Sequence, residues 1–130
     1  MKVNDRVIIV SFVMVMVCLT DLAVQAGSPD MKAAKMHAQS MVEEGERMIG
    51  HGNLGHLDMM IEQAEAMIEH AKEAMESTPL DNMRGKEAVA YMKEAISHAE
   101  EAIARGRKGN LDAAMAHAHK AMAHAKQGNL

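Results

Sequence analysis

From about residue 30 onward, apolar residues recur every three to four positions, the spacing of one buried helix face. The pattern breaks three times and predicts helices at about 30–50, 56–77, 82–105 and 110–127. Gly52-Asn53-Leu54-Gly55 and Gly106-Arg107-Lys108-Gly109 form two breaks, where glycine accepts the left-handed backbone that closes a last turn. Ser77-Thr78-Pro79-Leu80-Asp81 forms the third, with Pro79 as the stop and Asp81 as the expected cap of the next helix. Written as heptads abcdefg with the core at a, d and e, the a positions hold Ala38, Gly45, Ala64, Ala71, Ala99, Ala118 and Ala125. The d and e positions hold larger residues, among them Met41, Met48, Met60, Met67, Ile96, Ile103, Met115 and Met122. Small residues at a let helices approach closely.

The two halves repeat at an offset of 54 residues. Gly52, Gly55, Leu57, Asp58, Ala64, His70, Ala71 and Lys72 recur as Gly106, Gly109, Leu111, Asp112, Ala118, His124, Ala125 and Lys126. Short loops join neighbours that run antiparallel. The expected fold is therefore all-α, an up-down-up-down four-helix bundle made of a duplicated αα-hairpin.

The first 26 residues stand apart from this pattern. Lys2 and Arg6 precede the apolar run Val7–Leu19, and Val24-Gln25-Ala26 supplies small residues before Gly27. That is the layout of a signal peptide, and the run is short for a membrane span. Residues 1–26 are expected to be a signal peptide and residues 27–130 one helical domain, periplasmic or secreted, with no stable membrane association after cleavage. The domain then lacks cysteine, which excludes disulfides and thiolate metal sites within it. Net charge is −4; this acidic balance argues against nucleic acid, whose binders show a basic face.

Histidine changes the picture. Of eight histidines, His37, His51, His56, His70, His98, His117 and His124 all fall at g, beside the core, and only His119, at b, does not. Neutral imidazole is the commonest protein metal ligand, so all eight are candidate metal ligands. For any single one, a solvated rim position is the plain alternative, but it does not account for the common phase. Residues seven apart lie about 10.5 Å apart along a helix, too far to share one ion from one face. Partners must come from the next turn or the next helix. Folding each hairpin about its glycine loop brings g positions level: His51 with His56, Glu44 with Gln63 and His37 with His70 in the first; Arg105 with Asn110, His98 with His117 and Tyr91 with His124 in the second.

Methionine is also abundant, at 15 residues. Most lie at core phases, where this flexible side chain fills gaps. Met31, Met36, Met59 and Met83 lie outside the stripe and are the better thioether candidates for copper. No HExxH, nucleophile or phosphate-loop motif is present, so no enzyme is expected. A di-iron site needs Glu three residues before His on core-facing positions. His98 has Ala95 there and His70 has Met67.

The segments His98-Ala99-Glu100-Glu101-Ala102-Ile103-Ala104-Arg105-Gly106 and His117-Ala118-His119-Lys120-Ala121-Met122-Ala123-His124-Ala125-Lys126 resemble the small metal-binding protein family. The likeness runs over about residues 51–129, with the first helix matching only through His37-Ala38. The resemblance implies an exported four-helix protein that binds several divalent ions through histidine. It implies Cu(II) preferred, Ni(II) and Zn(II) accepted, and a role in buffering, detoxification or delivery. Arg105, Gln63, Glu44 and Tyr91 stand at phases where a fuller ladder has histidine. Two other readings fit an exported helical bundle: a haem-binding four-helix protein with Met and His ligands, and a metal-independent helical interaction or stress protein.

Overall fold

The computed structural model describes residues 29–130; the expected signal peptide, residues 1–26, lies outside the described residues. Among the described residues four helices follow in order: α1 (Pro29–Asn53), α2 (Leu57–Ser77), α3 (Met83–Arg107) and α4 (Leu111–Gly128). Each packs on two neighbours: α1 on α2 and α4, and α3 on α2 and α4. Packing is most extensive inside each hairpin. This is the four-helix bundle that the repeat predicts. No helix among the described residues is long and apolar enough to cross a membrane.

The core follows the heptad reading. Ala38, Ala64, Ala71, Ala99, Ala118 and Ala125 are buried at the helix seams. Met41, Met48, Met60, Met67 and Met92 are the largest fully buried side chains. Thioethers fill the space that glycine opens on α1. A Cβ on Gly45 would meet Met122 and Met67, and one on Gly52 would meet Met115 and Met60. Met36, Met59 and Met83, which fall off the stripe, are exposed.

The helix ends correct three details. The helix expected to stop at about 50 continues to Asn53. Gly52 and Gly106 lie within the last turns of α1 and α3. Among the described residues only Gly55 and Gly109 adopt positive φ, at 74° and 72°. The reason is packing: Gly52 and Gly106 are buried where a facing side chain presses close, Ile61 and Leu57 in the case of Gly106. The cap of α3 is Asn82 rather than Asp81; its side chain accepts the Gly85 N–H at 2.8 Å. Gly85 is required there, because a Cβ would run into the Pro79 carbonyl. Thr78, which is buried, ends α2 by donating its hydroxyl to the Ala74 carbonyl at 2.6 Å.

Candidate metal centres

The g positions of α1 and α2 face each other along one seam, and those of α3 and α4 along another. Every imidazole pair that folding about the loops predicts is present. Ring centroids are 5.9 Å apart for His37–His70, 6.1 Å for His51–His56 and 5.4 Å for His98–His117. Tyr91 stacks on His124 at 6.3 Å. No ring pair among the described residues includes His119, which is exposed on another face, as its phase dictates.

The structure adds one contact to that scheme: His98 also stacks on His124, at 5.6 Å and 12° between planes. Helical side chains lean toward their own N-terminus. On antiparallel α3 and α4, His98 and His124 therefore lean toward each other, across one level. His98 thus lies between His117 and His124, two residues too far apart on α4 to meet directly.

At the end of the first hairpin remote from its loop, the two imidazoles gain a carboxylate. Glu73 Oε2 lies 2.8 Å from His37 Nδ1 and 3.0 Å from His70 Nδ1. One donor atom from each of His37, His70 and Glu73 lies within 4.8 Å of the others. All three side chains are about one-third to two-fifths exposed, so the group is open to solvent. Ligands of a tetrahedral Zn(II) at 2.0–2.1 Å are about 3.3 Å from one another. The carboxylate–imidazole spacings fall a few tenths of an ångström short of that and need only a small spreading. Glu73 stands at position c, outside the ladder phase; three residues beyond His70, it is a next-turn partner that helical spacing offers that histidine.

In the second hairpin, His98 Nδ1 and His117 Nδ1 are 3.3 Å apart, the spacing of two ligands on one tetrahedral ion. The setting favours neutral imidazole at His98. Burial pushes its pKa below the ordinary 6.5, and His117, His124 and Lys120 push the same way against Glu94. A neutral ring keeps the lone pair that a metal needs. Two further ring nitrogens, His51 Nδ1 and His124 Nδ1, are buried without a hydrogen-bond partner. Such a buried polar atom costs roughly 1–3 kcal/mol, which coordination would relieve.

Three of the non-histidine rungs do other work. Glu44 turns to Arg47 on its own helix. Arg105 reaches Glu101 at 3.7 Å. Asn110 caps α4, accepting the Ala113 N–H at 3.1 Å. Its equivalent at the start of α2, His56, makes no side-chain cap bond. An imidazole thus stands where helix stability favours asparagine.

A family model described as "Small metal-binding protein" matches residues 4–128. No curated protein matches the chain significantly.

Proposed function

Because the chain belongs to the small metal-binding protein family, we propose that its two histidine seams bind several divalent metal ions without catalysis, as an exported buffer, detoxifying sink or carrier. The observation that carries this reading is the convergence of His37, His70 and Glu73 on one point, from two helices. The close His98–His117 pair supports a further ion in the second hairpin. Cu(II) is the preferred ion, since it stands highest in the divalent affinity order for nitrogen and oxygen donors; Ni(II) and Zn(II) follow. Export, read from the apolar leader, predicts a mature N-terminus at Gly27.

Calorimetric titration with Cu(II), Ni(II) and Zn(II) tests the proposal. Saturable binding of more than one ion per chain at micromolar concentration is expected. Absence of saturable binding for all three would defeat it.

A further inference from the structure

The two hairpins are copies of one unit, yet their donors do not coincide. At the 54-residue offset, His37, His70 and Glu73 correspond to Tyr91, His124 and Gln127. Conversely, Glu44 and Gln63 correspond to His98 and His117. The three-donor group therefore sits at the remote end of the first hairpin, and the closest imidazole pair sits midway along the second. The donor chemistry differs as well. At its remote end the first hairpin offers two imidazoles and a carboxylate that already touches both. The second offers a row of imidazoles, His117, His98 and His124, in which no ion pair joins a carboxylate to any ring among the described residues.

We infer that the hairpins hold two metal centres of different preference: a Zn(II)-tolerant His37–His70–Glu73 centre, and an imidazole-only His98–His117 centre, supported by His124, that favours Cu(II) more strongly. This inference rests on the metal-binding reading above. Two imidazoles and a glutamate form a donor set common to zinc, which takes four ligands and no preferred direction from its d electrons. A carboxylate oxygen is a hard donor and shifts preference away from copper; imidazole nitrogen does not. The anionic Glu73 also cancels part of the ion's charge, whereas at His98 the cation Lys120 outweighs the carboxylate of Glu94. Cu(II) can still bind more tightly than Zn(II) at both centres; the difference lies in the ratio of the two affinities.

The experiment is a pair of titrations, Zn(II) and Cu(II), on the wild-type protein and three variants, with helicity checked by circular dichroism. Glu73→Gln keeps the shape of a part-exposed side chain and removes its charge. It should weaken the tightest Zn(II) event by at least about tenfold and leave the tightest Cu(II) event within about twofold. His98→Gln/His117→Gln should do the reverse. Tyr91→His/Gln127→Glu copies the first centre into the second hairpin and should add one Zn(II) equivalent, a gain that misfolding cannot mimic. If Glu73→Gln weakens both metals alike, or the double glutamine variant removes Zn(II) as fully as Cu(II), the division is wrong while metal binding stands. If the wild-type protein binds neither ion, the division and the metal-binding reading both fall.

Discussion

The first and second hairpins share a backbone plan and differ in what they place on it. Both run helix, glycine loop, helix, with Gly55 and Gly109 at equivalent positive-φ positions. Both bury alanine at the seams and larger apolar residues behind them. Yet the first puts imidazole pairs at the two ends of its seam, His51–His56 and His37–His70. The second puts its pair in the middle and uses Asn110 as a cap where the first uses His56. The core answers to packing, which the repeat preserves. The histidine positions beside it are partly exposed, and there the two hairpins carry different donor sets.

The largest effect is expected at the core. Met67 in the first hairpin and Met92 in the second are both fully buried. Each changed to alanine should cost about 2–5 kcal/mol, and unfolding should remain one transition because the thioethers of one hairpin pack on the helices of the other. Two separate transitions in urea would show that the hairpins are independent units.

A smaller effect comes from metal. Free Cu(II) at about a hundred times its dissociation constant should stabilise the fold by about 2.7 kcal/mol per site. Thermal unfolding should show this rise shrinking in His37→Gln/His70→Gln and in His98→Gln/His117→Gln, each removing its own share. An unfolding temperature indifferent to copper in the wild-type protein would contradict the assignment of both seams.

Smaller again is the cap. His56→Asn should stabilise the metal-free protein by about 1 kcal/mol, because asparagine can accept an N–H at the start of α2 as Asn110 does for α4. The same change should weaken metal binding at the loop end of the first hairpin. Denaturant unfolding checks the first effect; loss of stability would show that His56 has a structural role unlike that of its counterpart.

The smallest effect is a slope with pH. His98 has its pKa lowered by burial and by neighbouring imidazoles. As pH falls below 6.5, the unfolded chain takes up a proton there that the folded chain resists, so the unfolded state binds more protons and stability drops. The loss accrues between 6.5 and the lower folded value and is absent well above 6.5. His98→Gln should flatten this part of the stability–pH curve of the metal-free protein. An unchanged slope would remove His98 as its source.

Much of this was legible in the sequence because helical periodicity and close packing are both written in residue spacing. The four helices, the alanine seams and the level pairing of His37–His70, His51–His56 and His98–His117 all follow from phase and a loop centre. Where spacing was silent, tertiary contact decided. Asp81 and Asn82 are adjacent and both suited to capping; the approach of Pro79 to Gly85 selects Asn82. Gly52 looked like a loop residue, but the methionines packed on it keep it helical. Glu73 sits at an outer phase, and nothing in one helix's spacing says that its carboxylate reaches a histidine on the next. The His98–His124 contact needed the opposite lean of side chains on antiparallel helices, which level pairing leaves out.

On the function proposed above, ions are held between helices, by imidazoles acting in pairs. Nitrogen-detected NMR of the histidine rings during Zn(II) titration tests this most directly. His37 and His70 should change together, at the same equivalence point, His98 and His117 should do likewise, and His119 should lag behind both. Rings that respond one at a time, or a His119 that responds first, would contradict it.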